Sequence, residues 1–289
     1  MKRFLAGIFI LIVTIPSASL TFPGCGKEPV SFHFIDVGHG DATLVRIPGG
    51  RDILIDTGRL SRAAALCAYL EDQGVRKLDR LILTHPHPDH IGGVFAVVDA
   101  FSPASLHDNG VQNKESDIFT EYTKLIESGQ SPYQVLKTGD SFSYGPARFA
   151  ILNSPGPVEW DLNADSMVIR IEVGETAILI AADLNIRGEK RLLESGNLLR
   201  SQVLRVGHHG AQDATSDDFL AAVSPQTAIV SVGTNPWGYP SAELLDRLEK
   251  DPAIELLRTD RDGTIVVETD GREFKVSKKR SSPSLETST

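Results

Sequence analysis

Thr84-His85-Pro86-His87-Pro88-Asp89-His90-Ile91-Gly92-Gly93 puts four metal-binding side chains into six positions, directly after the apolar run Leu81-Ile82-Leu83. By composition and length that run reads as a buried strand, so the ligands begin where a rigid element ends. His85 and His87 are two apart and point the same way while the backbone stays extended. Asp89 and His90 follow after Pro88 has turned the chain, so they face a second point. That arrangement suits two metal ions rather than one. Neutral imidazoles with a carboxylate favour zinc, and manganese or iron fit the same ligand types.

The 289 residues, 41% hydrophobic and 23% charged, suffice for one large domain with a proper core or for two modest ones. Met1-Lys2-Arg3 and the apolar run Phe4 to Ile15 read as a secretory signal, too short to span a bilayer permanently. Two cleavage sites compete: Ser17-Ala18-Ser19, and the degenerate lipobox Phe22-Pro23-Gly24-Cys25, which is favoured because it accounts for Cys25. Cys67 lies in a helical apolar pattern and reads as a buried free thiol; a Cys25 to Cys67 disulfide is the alternative in an oxidising compartment. The expectation is an exported protein, anchored by lipid outside a bacterial membrane or free in the periplasm or medium. Loss of residues 1–24 removes Lys2 and Arg3 and takes the net charge from −9 to −11. Such a balance argues against a general high-affinity DNA binder, because phosphate backbones are held by lysine and arginine.

Along the chain, polar residues recur where apolar runs stop. Asp36-Val37-Gly38-His39-Gly40-Asp41 separates two short strands; its glycines allow a tight backbone that either places His39 or Asp41 over a site or makes a hairpin. Asp56-Thr57-Gly58 ends a third strand. Ser61 to Gln73 reads as an amphipathic helix with Ser61 as its N-cap, and His107 as a solvated loop residue. Asn163-Ala164-Asp165-Ser166 precedes a strand. The strand Thr176 to Ala182 ends in Asp183, an acid whose burial is costly unless it meets a cation. Strand Val203 to Val206 empties into Gly207-His208-His209-Gly210, whose adjacent histidines diverge and cannot easily share one role. Asn235 and Tyr239 follow another buried strand, and Arg258-Thr259-Asp260 comes near the end. No histidine lies between His107 and His208.

With these motifs in this order over residues 30 to 276, the chain resembles the metallo-β-lactamase-like superfamily, and within it the domain found in ComEC-type DNA-uptake proteins. The resemblance implies an α/β (α+β) four-layer αββα sandwich, with strand-end loops gathering two divalent ions at one edge. It implies metal ligands His85, His87, Asp89, His90, Asp183 and His209, with Asp183 bridging and with His208 near substrate; the sequence alone leaves His208 and His209 interchangeable. Asp56 would hold a ligating histidine by its other ring nitrogen, as such ligands require. Asp36, His39, Asp41, Asn163, Ser166, Asn235, Tyr239 and Arg258 match positions that support the site or touch substrate. His39 and Tyr239 depart from the family's usual Gln and His. The third histidine that true β-lactamases place on the first ion is lacking, so solvent or Asn163 would complete that site.

A hydrolase follows, with Asp89, Asp183 or His208 passing the proton. Its expected substrate is a phosphodiester, nucleic-acid-like, because the resembled domain is thought to degrade DNA and two metals suit in-line displacement at phosphorus. β-Lactam or other acyl hydrolysis is the enzymatic alternative. A cell-surface binding protein is the non-enzymatic one, against which the complete ligand set argues. Residues 277–289 read as a disordered polar tail.

Overall fold

A computed structural model describes residues 28–156 and 161–279. The stretch 1–24 read as a leader, Cys25 and residues 280–289 lie outside that range. The first sheet takes β1 (Val30–Phe34), β2 (Thr43–Ile47), β3 (Arg51–Ile55), β4 (Arg80–Ile82), β5 (Leu106–Asp108) and β6 (Tyr133–Val135) side by side. The second takes β7 (Ser141–Tyr144), β8 (Ala147–Asn153), β9 (Val168–Val173), β10 (Thr176–Ile180), β11 (Val203–Arg205), β12 (Thr227–Val230) and β13 (Glu255–Arg258). The chain then returns as β14 (Thr264–Thr269), antiparallel to β1, with β15 (Phe274–Lys279) outside it.

Each sheet is antiparallel on one side and parallel on the other, over β3 to β6 and β10 to β13. Parallel neighbours need crossovers, and helices supply them. These are α1 (Ala63–Asp72), the single turn α2 (Pro88–Ile91), α3 (Val94–Phe101) and α4 (Asp117–Glu127) in the first half. In the second half they are α5 (Ile186–Glu194), α6 (Asp217–Val223) and α7 (Ala242–Glu249), before the single turn α8 (Thr259–Asp262).

Side-chain alternation sorts the apolar residues into three layers. Phe32, Val45, Ile53 and Ile55 of the first sheet meet Phe149, Ile171, Ile178 and Ile180 of the second in a central core. The opposite faces, through Leu44, Leu54 and Leu81, pack on Leu66, Val97 and Phe101 of the helices outside. Leu179, Leu204 and Ala228 likewise pack on Leu192, Phe219 and Leu244. The architecture is therefore the expected αββα sandwich. No described helix is long and apolar enough to cross a membrane.

Three local readings change. Residues 277–279 are not tail but the end of β15, where Ser277, Lys278 and Lys279 pair with Val266, Ile265 and Thr264. Ser61 lies in a short 3-10 turn, Leu60–Arg62, and α1 starts after it without a side-chain cap. His107 is buried on β5 rather than solvated: Ser105 Oγ (2.9 Å), the Gln134 carbonyl (3.1 Å) and Arg80 (3.0 Å) surround its ring. Its surroundings are structural, and it stands apart from the residues described below.

Candidate metal centre

The carboxyl ends of the parallel strands converge on one edge of the sandwich. Beyond β4, His87 is still extended (φ −77°, ψ 146°) and Pro88 opens α2, so the turn at Pro88 separates the pair His85 and His87 from the pair Asp89 and His90. This loop is held close to its neighbours. Asp41 N donates to the Asp89 carbonyl (3.1 Å), and a Cβ at Gly40 would lie 2.5 Å from that oxygen. A Cβ at Gly93 would meet the Thr57 carbonyl at 2.4 Å, which explains the glycine ending the motif.

Two groups of donor atoms share Asp183. His85, His87 and Asp183 offer atoms lying within 4.8 Å of one another, as do His90, Asp183 and His209. His85 Nε2 and His87 Nδ1 approach to 2.9 Å, and Asp183 Oδ2 lies 3.6 Å from His85 Nε2 and 3.5 Å from His209 Nε2. Its Oδ1 is 3.2 Å from His90 Nε2. Asp89 Oδ2 stands 3.6 Å from His209 Nε2 and 3.7 Å from His39 Nε2, giving the second side two further donors.

In His90 and His209 the far ring nitrogen is occupied. His90 Nδ1 meets Asp56 Oδ2 at 2.8 Å, and Asp56 is itself fixed by Thr84 N and Thr84 Oγ1, both at 2.8 Å. His209 Nδ1 donates to the Ser231 carbonyl (2.9 Å). Each bond sets the tautomer that leaves Nε2 as a lone pair aimed inward. His209 Nε2 is buried with no hydrogen-bond partner among the described residues, and His90 Nε2 and Asp183 Oδ1, also buried, face each other at 3.2 Å as an ion pair without hydrogen-bond geometry. Buried polar atoms left so are costly, and atoms converging this way fit a cation.

The electrostatics agree. Burial pushes His85, His87 and His209 down, His209 to about 4, which keeps these rings neutral as ligands must be. Burial also acts against His90, but Asp183 and Asp56 outweigh it and hold the ring well above the usual imidazole value. For Asp183 burial is overcome by His209 and His90, which keep the carboxyl well below its usual range. Positive charge is thus wanted between Asp183 and the His90 ring. Without an ion a proton supplies it; a divalent ion does so better.

The backbone is constrained where it delivers these groups. Asp56, Ala182, His208 and His209 all have left-handed φ, between 47° and 59°, at roughly 1 kcal/mol or more each. Packing imposes that cost: the Ala182 carbonyl accepts from His208 N (3.0 Å) and from the buried guanidinium of Arg205. Of the adjacent histidines, His209 points into the donor set. His208 is half-buried beside it, Nε2 accepting from Asn163 Nδ2 (3.2 Å) and Nδ1 3.6 Å from Asp213.

The remaining sequence candidates divide. Asp41 lies behind the centre, 3.9 Å from His90 Nδ1, 3.7 Å from His209 Nδ1 and paired with Arg205. Asn163 and Ser166 are near the 161–166 turn, each with a buried side-chain oxygen lacking a partner among the described residues. Asp36 accepts from Gly38 N (3.1 Å) and shapes the loop carrying His39. Two of these candidates, expected to support the site or touch substrate, turn to their own loops. Asn235 cross-braces its own loop, taking Trp237 N and Tyr239 N on Oδ1 and giving to the Gly233 and Tyr239 carbonyls. Arg258 makes a two-point contact with Asp260 (2.9 and 2.6 Å), an acid two residues away that local sequence offered from the start.

A cavity of about 1010 Å³ opens over the centre, lined by His39, His87, Asp89, Asp183, His208, His209, Tyr239 and others. Its cation is Arg59, 3.8 Å from Asp89 and over the Trp237 ring, which sequence reasoning missed. Arg205 was missed as well, although an arginine inside the apolar run Val203 to Val206 hints at a buried partner, without saying which.

Residues 35–234 match the model of the metallo-β-lactamase superfamily. Among curated proteins, the ComE operon protein 3 of Bacillus subtilis is 30% identical across 91% of this chain and 36% of its own length. Recombination protein 2 of Haemophilus influenzae is 30% identical across 84% of the chain and 29% of its length; competence protein ComA of Neisseria gonorrhoeae is 32% identical across 80% and 31%. The chain thus spans about a third of the length of these ComEC-type relatives. Among solved structures, the metallo-β-lactamase fold protein YhfI from Bacillus subtilis matches with a TM-score of 0.56 at 16% identity, over 84% of this chain and 100% of that one. A CmlA β-hydroxylase variant matches at 0.55 and 13%, over 85% and 55%. These two likenesses concern the fold.

Proposed function

The chain belongs to the metallo-β-lactamase superfamily, and from that premise we propose that it is a two-metal phosphodiesterase acting outside the cytoplasm. The observation that carries the reading is the shared position of Asp183, whose carboxylate is common to the His85–His87 group and the His90–His209 group. A carboxylate shared in this way would let each group hold a divalent ion.

His85, His87 and Asp183 would hold one divalent ion, and Asp89, His90, His209 and Asp183 the other, zinc by donor type with manganese or iron fitting as well. Bound there, such ions supply acidity to water and charge stabilisation to the oxygens of an in-line displacement. The protein's own groups do the rest. Asp56 and the Ser231 carbonyl orient His90 and His209. His208 lines the cavity outside the donor set, and its imidazole would pass a proton to the leaving oxygen once Nε2 is protonated and released from Asn163. Arg59 at the rim supplies a positive charge to a phosphate that enters.

Export rests on the reading of residues 1–24 as a leader and attachment on the reading of Cys25 as a lipid-bearing residue, while Cys67, half-buried against the outer core, has no disulfide partner among the described residues. The reading is tested by hydrolysis. With zinc or manganese the protein should cleave bis-nitrophenyl phosphate and short strands, and Asp183→Ala should abolish this. Turnover of a chromogenic β-lactam alone would replace it with acyl hydrolysis.

A further inference from the structure

The rim of the cavity carries a feature the hydrolytic centre does not require. Trp237 is 55% exposed, an unusual position for the largest apolar side chain, and it lines the cavity over the centre. Its ring is not loose. It stacks on Tyr239 (centroids 6.1 Å, 24° between planes) and leans on His39 (5.0 Å, 33°), whose ring in turn packs on His209 (4.4 Å). Asn235 ties the backbone of this loop by taking Trp237 N and Tyr239 N. The result is a flat aromatic surface, braced from below and open to solvent, two ring contacts from His209.

Beside it Arg59 reaches over the Trp237 ring (5.7 Å) while Nη2 stays 3.8 Å from Asp89, so one cation spans the aromatic surface and the metal side. Another stretch of the rim is acidic, with Glu115 and Asp117, and the chain as a whole carries −9. Broad phosphate binding is therefore disfavoured, and a second strand's backbone would meet carboxylates. A ligand that brings a flat ring and one nearby phosphate fits both features at once.

We propose that Trp237, backed by Tyr239 and His39, is a stacking subsite for a nucleobase of a single-stranded polynucleotide, with Arg59 on the adjoining phosphate. Stacking supplies affinity that net charge does not, and it does so without selecting among bases. This inference rests on the phosphodiesterase reading for the identity of the site, but it is tested by binding.

The test uses metal-loaded protein, a short phosphorothioate oligothymidylate that resists cleavage, and an abasic strand of the same length and linkage. Binding is followed by anisotropy. The base-bearing strand should bind at least about fivefold more tightly, the lower range of base stacking on an aromatic ring. Trp237→Ala should abolish that preference, Trp237→Phe should keep most of it, and Arg59→Gln should weaken both strands and lower the salt slope by about one. Equal affinity for the two strands, or a preference that survives Trp237→Ala, overturns the subsite. If the base preference depends on Trp237 while no phosphodiester is hydrolysed, the subsite stands and the hydrolytic reading falls.

Discussion

Arg205 and Asp41, 164 residues apart, form a buried ion pair directly behind the candidate metal ligands. Arg205 also donates to the Val206 carbonyl (2.9 Å) and the Ala182 carbonyl, and lies 3.2 Å from His209 Nδ1. One side chain therefore joins the Asp41 loop of the first sheet to the ends of β10 and β11 in the second. Breaking such a pair from one side strands the other charge in the interior. Arg205→Met should destabilise the metal-loaded protein by about 3–5 kcal/mol, read from urea unfolding. Adding Asp41→Asn should recover part of the loss, since the orphaned carboxylate is then gone.

Asp56 holds the Nδ1 side of His90, and through that ring it would orient the metal-facing Nε2. Asp56→Ala should leave the sandwich folded but lower metal affinity about 10–100-fold, measured by competition with a chromophoric chelator. Unchanged affinity would mean that His90 holds its ring orientation without Asp56.

Away from the centre, His33 sets a pH dependence. It is buried between Tyr69 (2.7 Å) and Ser31 (3.0 Å), and burial, helped by Lys279 and Arg46, lowers it to about 3. The unfolded chain takes up this proton near 6.5 and the folded chain only near 3, so between those values the unfolded state holds more protons. Stability should fall as pH falls through that window, by up to about 1.4 kcal/mol per pH unit from this group. His33→Gln should flatten the slope of urea midpoint against pH, even if it lowers the midpoint itself.

The export reading predicts that the mature chain begins at a lipid-modified Cys25. Mass spectrometry of the N-terminus decides between this and a start at Leu20 with Cys25 unmodified.

What could be read from sequence was local. His85, His87, Asp89 and His90 lie in one loop, and a strand before them and a proline among them were enough to divide them into two pairs. Asp183 and His209 stand at the ends of apolar runs, which marks a side chain held by a rigid element. The fold followed from strand and helix order through the family resemblance. Less legible were groups whose meaning depends on a partner far along the chain. Arg205 looks like any strand-end arginine until Asp41 arrives from the other sheet, and His107 looks solvated until β6 covers it. Arg59 sits in a loop whose sequence has no signature; only the approach of Trp237 gives it a place in the site. Arg258 and Asn235 show the reverse, polar side chains in a matching motif that satisfy their own loops.

The central claim is that the two donor groups sharing Asp183 would hold two divalent ions and that the protein so loaded cleaves phosphodiesters. Titrating zinc or manganese into metal-free protein while following bis-nitrophenyl phosphate hydrolysis tests it most directly. The account predicts activity that rises until about two equivalents are bound and then levels off. No hydrolysis at any metal load, or full activity at one equivalent, would contradict it.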